Sequence, residues 1–218
     1  MAWFLLIAGP NGAGKTTFTG SPDFQNALKL FPGGPVRLLN PDDAARAYYS
    51  GNPGVTRDAA DYWAAKEIPS QVVKCIDAGE NVAVETVLSS DKYEPIIQHA
   101  QRQGYQVGII YLALESAKVS KERVAKRVAS GGHPVPQTKI ADRWERSLDR
   151  LVKFVPLVDG LLLFLSTSGG VDLLSEKHQG QVIWYGGAKF PDLKARLGAK
   201  DFPQSGPKTG GMPFPHKP

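Results

Sequence analysis

Residues Gly9-Pro10-Asn11-Gly12-Ala13-Gly14-Lys15-Thr16 spell a complete G-x-x-x-x-G-K-[ST] phosphate loop. A loop of this kind works only between a buried strand and a helix N-terminus, so it dictates the architecture around it. The apolar run Trp3 to Ala8 supplies the strand, and the residues after Lys15 are able to start a helix. Glycines let successive backbone N–H groups turn inward around a phosphate, and the helix N-terminus adds positive potential. Gly9 to Thr17 is therefore expected to cradle a nucleoside triphosphate, ATP. In that arrangement Lys15 reaches the β- and γ-oxygens, and the Thr16 hydroxyl ligates Mg²⁺.

At 218 residues the chain is long enough for one α/β domain with a substantial core. A single cysteine, Cys75, excludes an internal disulfide framework and suits a reducing compartment such as the cytoplasm. Its apolar neighbours Val72, Val73 and Ile76 make it a core residue rather than a nucleophile. No apolar run approaches the ~20 residues of a membrane span. The apolar start has no basic segment before it and is expected to be a strand, not a secretory signal.

Strands and helices alternate along the chain, the pattern of a mostly parallel sheet covered by helices on both faces in three layers. The expected order is strand 2–8, helix 15–28, strand 36–40, helix 41–49, a Gly/Pro turn at 51–54, and a helical stretch 57–78 interrupted near Pro69. Strand 81–85, helix 91–103 (with Asp91 as its N-cap), strand 105–112, helix 116–129 and helix 137–154 follow. Strand 160–166, a Ser/Gly turn at 166–170 and strand 180–185 finish the sheet. Gly79 and Gly104 stand where helix C-caps are expected. Residues 1–197 are read as one kinase-like domain with a helical lid at about 116–155. Residues 198–218, with five prolines and four glycines, are read as a disordered tail.

Several phosphate-loop branches are excluded by missing parts. No apolar strand ends in Asp-Glu as in motor and transporter ATPases, and no N-K-x-D base-reading motif of a GTPase is present. A small-molecule kinase remains, in which a carboxylate at the end of the second strand accepts a proton from an acceptor hydroxyl. Asn40-Pro41-Asp42-Asp43 emerges at the carboxyl end of strand 36–40, the edge where ligands bind in open α/β sheets. Asp42 is thus a candidate general base, with Asp43 the fallback. A helix N-cap at Asn40 or Asp42 is the plainer reading, and the two are compatible. Glu85 and Thr86 end another strand and face the same crevice.

Charge is unevenly spread. Residues 118 to 153 hold ten Lys/Arg against four acids, so this segment is +6 within a chain of net +5. Beside a phosphate loop, such a cluster reads as arginines closing over a triphosphate rather than as a nucleic-acid surface. Guanidinium forks stabilise the charge that develops on transferring oxygens better than a lysine does. A solvated helix face carrying Arg143, Arg146 and Arg150 is the competing reading.

Four of these stretches, in order, resemble the zeta-toxin family, and the compact bacterial zeta-like kinases most. They are Gly9 to Thr17, Asn40-Pro41-Asp42, Glu85-Thr86-Val87-Leu88-Ser89, and Arg127 through Gly131-Gly132-His133-Pro134-Val135-Pro136, continuing into Arg143-Trp144-Glu145-Arg146. The resemblance implies a kinase that phosphorylates a hydroxyl of UDP-N-acetylglucosamine, and a protein antitoxin as partner. It implies Lys15 as phosphate-binding lysine, Asp42 as general base, and Arg127 and Arg143 as the γ-phosphate clamp, with Arg123 and Arg146 as neighbouring alternatives. Asn40, Asp42, Glu85, Thr86 and His133 are the residues it places near the acceptor. Another acceptor (a nucleoside, a sugar or a nucleic-acid end) or an ATP-gated binding module remain as alternatives.

Overall fold

Every residue of the strand Trp3–Ala8 is buried, because this strand (β1) lies inside the sheet with a helical layer on each face. Side chains alternate across a strand, and here both sides are apolar. Phe4, Leu6 and Ala8 join one core, while Trp3, Leu5 and Ile7 join the other. The computed structural model describes residues 2–131, 136–178 and 180–201.

The helices Lys15–Thr19 (α1) and Pro22–Leu28 (α2) follow the phosphate loop, then the short strand Arg37–Leu39 (β2). A helical hairpin comes next, Pro41–Gly51 (α3) and Arg57–Asp77 (α4), leading to strand Val82–Thr86 (β3). Helix Glu94–Arg102 (α5), strand Gln106–Ala113 (β4), and the helices Ala117–Ala129 (α6) and Gln137–Phe154 (α7) precede a 3-10 turn at Val155–Leu157. Strands Gly160–Thr167 (β5), Gly170–His178 (β6) and Gln181–Trp184 (β7), helix Pro191–Arg196 (α8) and the two-residue strand Lys200–Asp201 (β8) complete the described chain.

The sheet order is β2-β3-β1-β4-β5-β6-β7-β8. The first five strands are parallel, β6 and β7 continue antiparallel, and β8 runs parallel to β7. α4, α5 and α7 cover one face through residues such as Val72, Ile97 and Leu151, while Phe18, Phe24 and Phe31 cover the other. Gly108 and Gly160 make the floor for Phe31. A Cβ at either would come within 2.6 or 2.8 Å of the Phe31 ring. The register sets Glu85 and Thr86 opposite Ile7 and Ala8, at the strand end from which the phosphate loop departs.

The α/β class and the mostly parallel sheet match the sequence expectation, and five features differ from it. The expected helix 15–28 is two helices, because Gly20 ends the first. Ser21 then caps the second, accepting from the Phe24 amide at 3.4 Å, with Pro22 at its first turn. Helix α4 runs unbroken through Pro69. The carbonyl that loses its partner belongs to exposed Ala65, where water is available, while Ile68 and Val72 hold the flanking turns in the core. Asp91 does not cap α5, which starts after Tyr93; its carboxylate instead receives Arg150 and Lys153 from α7. The expected turn at 166–170 is a tight hairpin into β6, whose Leu173-Leu174 pair and run of polar residues from Ser175 break the alternation that marks a strand. The tail does not begin at residue 198, since Lys200–Asp201 pairs with β7; residues 202–218 lie outside the described residues. Among the described residues, no helix is long and apolar enough to cross a membrane.

Candidate active site

The phosphate loop is held open by its glycines. Gly9, Gly12 and Gly14 all have positive φ (144°, 78° and 80°), and a Cβ on Gly9 would lie 2.4 Å from the Leu112 carbonyl oxygen of β4. Gly9, Pro10 and Ala13 are buried and do not line the cavity of about 710 Å³ that Asn11, Gly12, Gly14, Lys15, Thr16 and Thr17 face. The Lys15 ammonium donates to the Gly9 and Pro10 carbonyls at 2.8 and 3.2 Å. Burial lowers its pKa from 10.5 to about 8; Glu85 and Asp42 oppose that fall, and Arg127 adds to it.

Glu85 is only 5% exposed and sits directly under the loop. Thr16 Oγ1 donates to its Oε2 at 3.0 Å and Thr19 Oγ1 to its Oε1 at 3.1 Å. Burial raises the Glu85 pKa; the threonine hydroxyls and the Lys15 charge pull it back, and Asp42 pushes it further up. The alternation of β3 explains the contact. Glu85 shares the side of Ala83, which packs in the same core as Phe18 of α1, so its side chain rises toward that helix.

The capping question at the second strand resolves in favour of Asn40. Its Oδ1 accepts from the Asp42 and Asp43 amides at 2.9 and 3.4 Å, so the Asp42 carboxylate is not consumed as a cap and borders the cavity. Asp43 pairs instead with Arg46 at 3.2 Å. Asn40 Nδ2 also donates to Thr16 Oγ1 at 3.4 Å, tying the second strand to the phosphate loop.

Helices α6 and α7 form the basic wall. Ser116 caps α6, and Ser120 donates to the Asn11 carbonyl at 2.5 Å, seating this helix on the phosphate loop. Arg123, Arg127, Lys139 and Arg143 border the cavity. Arg123 is held by Ser166 at the end of β5, at 2.8 Å to its hydroxyl and 3.1 Å to its carbonyl. Arg146 does not border the cavity and pairs with Asp142 at 2.7 Å; Arg150 pairs with Asp91 at 2.9 Å. The helix thus presents Arg143 to the cavity, while the ion pair with Asp142 holds Arg146 on a half-exposed face. His133 lies outside the described residues.

Sequence reasoning missed further lining residues. Asp58, Asp61 and Ala65 of α4 line the cavity, as do Ser89, Ser90 and Lys92 after β3. The i, i+3, i+7 spacing of the α4 residues marks one face of that helix, and was the signal available. The α3–α4 hairpin that carries this face has a small core of its own. Ala45, Ala60 and Ala64 allow close packing, and Tyr48 stacks on Trp63 at 4.2 Å.

A phosphate loop, a buried carboxylate beneath it and a two-helix basic wall therefore meet in one crevice. The zeta toxin family model matches residues 3–154, which carry all of these parts. The chain belongs to the zeta toxin family. No curated protein matches the sequence, but solved structures share its fold. A chain of the AvrRxo1-ORF1:AvrRxo1-ORF2 complex with ATP aligns at TM-score 0.63 and 17% identity, over 94% of this chain and 65% of that one. The native form of that complex aligns at 0.62 and 17%, over 91% and 63%. A chain from the PezAT chromosomal toxin–antitoxin system of Streptococcus pneumoniae aligns at 0.58 and 15%, over 91% of this zeta toxin family member and 87% of that chain. The present chain thus spans 63–65% of the AvrRxo1 complex chains it matches.

Proposed function

We propose that this zeta toxin family member is an ATP-dependent kinase that transfers the γ-phosphoryl group to a hydroxyl of a sugar nucleotide, UDP-N-acetylglucosamine being the leading acceptor. The observation that carries the reading is the convergence of Lys15, Asp42, Glu85, Arg127 and Arg143 on one cavity of about 710 Å³. The donor side is the phosphate loop with α6 and α7; the acceptor side is Asp42 with the segment after β3.

Lys15 and the loop amides bind the β- and γ-phosphates and fix the donor. Asp42 accepts the proton of the acceptor hydroxyl as its oxygen bonds to phosphorus and the bond from the γ-phosphorus to the bridging oxygen of ADP breaks. Arg127 and Arg143 stabilise charge on the equatorial oxygens. The oxygen donors near the loop (the Thr16 hydroxyl, the Glu85 carboxylate beneath it and Asp42) form a hard set that suits Mg²⁺. The Thr16 hydroxyl would hold it, with the Glu85 carboxylate beneath reaching it through water, and it would neutralise phosphate charge.

The sugar nucleotide is carried over from the family resemblance; Lys92, after β3 on the acceptor side, is a cation available to its diphosphate. The carboxylates Asp58 and Asp61 on the α4 wall favour a second reading, in which the acceptor is an uncharged polyol such as a free sugar or nucleoside. They argue against a nucleic-acid end. An antitoxin partner is likewise proposed on family grounds, supported by the toxin–antitoxin system to which the PezAT relative belongs.

The test is mass spectrometry after incubating the protein with ATP, Mg²⁺ and UDP-N-acetylglucosamine, with Lys15→Ala as control. A gain of one phosphate on the sugar nucleotide, absent in the control, is the expected result. Nucleotide binding without that gain would discard this acceptor, and nucleosides and free sugars would be tried next.

A further inference from the structure

A buried chain of hydrogen bonds joins the centre of the sheet to the acceptor side of the cavity. Tyr111 of β4 and Ser147 of α7 are both 0% exposed. Their hydroxyl oxygens lie 2.7 Å apart, and Ser147 Oγ is 2.6 Å from the Val87 carbonyl oxygen. A carbonyl only accepts, so Ser147 spends its one proton on Val87 and must receive the proton of Tyr111. The chain therefore runs in one direction, from Tyr111 through Ser147 to Val87. Burial raises the Tyr111 pKa far above its ordinary value, which keeps the phenol a donor.

The Val87 end of this chain reaches the cavity. Val87 and Leu88 border it, and Leu88 holds a left-handed φ of 56° that a branched side chain adopts only when its surroundings impose it. Its amide donates to Thr86 Oγ1 at 3.0 Å, and its side chain is 1% exposed. Arg143 lies one helical turn before Ser147, on the same side of α7. The far end of the segment is tied to the same helix: Asp91 receives Arg150 and Lys153, each at 2.9 Å, and Glu94 receives Lys153 at 2.6 Å. Nearby, Trp144 Nε1 donates to the Leu114 carbonyl at 3.2 Å, fixing how α7 is turned.

We propose that Ser147 is a positioning residue, its two hydrogen bonds locking the acceptor-side segment 86–90 and the Arg143-bearing helix into one unit, so that acceptor alignment depends on it while ATP affinity does not. The inference rests on the kinase reading of the cavity. It assigns Ser147 and Tyr111 a role although neither borders the cavity. ATP affinity is spared because the phosphate loop is seated through separate contacts, Ser120 on Asn11 and Thr16 on Glu85.

The experiment compares Ser147→Ala, Ser147→Thr and Tyr111→Phe with the wild-type chain. With UDP-N-acetylglucosamine as probe, Ser147→Ala is expected to raise the acceptor KM and lower kcat by about tenfold each, the scale set by slight misplacement of reacting groups. The Kd for MgATP should stay within about twofold. Tyr111→Phe, which leaves the Ser147–Val87 bond in place, should show a smaller effect, and Ser147→Thr, which keeps the hydroxyl, should restore most of the loss. A parallel change in acceptor KM and ATP Kd, or no change in either, overturns the proposal.

Hydrogen–deuterium exchange separates failure of this idea from failure of the acceptor assignment, because it needs no acceptor. If the wild type transfers nothing to the probe, the kinase reading of that acceptor falls, and exchange still decides the coupling. Faster exchange at 86–92 in Ser147→Ala, with β1 and β5 unchanged, supports it. Unchanged exchange in that segment, or uniform acceleration across the sheet, refutes it.

Discussion

Nucleotide binding should take up a proton at Lys15 in alkaline solution. Burial holds this ammonium down from 10.5 to about 8, a drop equivalent to about 3 kcal/mol, less what the partial exposure of the lysine returns to solvent. The unfolded chain keeps the proton until about 10.5 and the folded chain releases it near 8. Between those values the unfolded state binds more protons, so the contribution of Lys15 to stability rises with pH as the penalised ammonium is lost. A triphosphate in the loop reverses the preference, because its negative charge favours the ammonium. By the same titration arithmetic, free protein carries the Lys15 proton in about nine molecules of ten at pH 7 and about one of ten at pH 9. ATP binding should therefore take up about 0.1 proton at pH 7 and about 0.9 at pH 9, with apparent affinity about tenfold weaker at the higher pH. Calorimetric titration in two buffers of different ionisation enthalpy counts these protons directly. Lys15→Arg, whose side chain does not titrate in this range, should abolish the difference. Equal uptake at the two pH values in the wild-type chain would refute the claim that burial, not an anion, governs this lysine.

Three further outcomes follow from the site and the core. Asp42→Asn should lower kcat by about 10²-fold or more, the scale of general-base removal, while MgATP affinity measured by equilibrium titration stays within a few-fold. Arg143→Lys should cost about tenfold or more in kcat because a point charge replaces a bidentate fork, whereas Arg146→Lys, on the solvated face with Asp142, should leave steady-state kinetics unchanged. Gly108→Ala should destabilise the fold by about 1–3 kcal/mol in urea unfolding, since the new methyl meets Phe31 at 2.6 Å and Leu5 at 2.8 Å. Adding Phe31→Leu should recover part of that loss, and strictly additive effects would show that the clash is relieved elsewhere.

Much of the donor half was legible because its signals are local. The phosphate loop is a contiguous motif whose glycines answer to backbone geometry at their own positions, and β1 announces itself as an unbroken apolar run. The acceptor half depends on residues far apart in sequence. Asp58 and Asp61 look like ordinary solvated helix acids until α3 and α4 fold against each other through their alanines. Arg123, Arg143 and Arg146 could not be ranked by composition, since their roles differ only by where α6 and α7 turn relative to the loop. Asp91 reads as a helix cap, and loses that role because two cations of α7 lie beside it.

The sequence by itself therefore determined the class of fold, the phosphate-loop motif with Lys15 and Thr16 between a strand and a helix, and Asp42 just past a strand end, because chain connectivity and backbone sterics are short-range. Only the tertiary structure decided which side chains complete the crevice. Parallel pairing of β1 with β3 slides Glu85 under the phosphate loop, and docking of α7 on β4 joins Tyr111, Ser147 and Val87. Those contacts span 36 to 69 residues of chain. Strand register and helix rotation fix them, and both are settled by packing of the whole core rather than by any local run of residues.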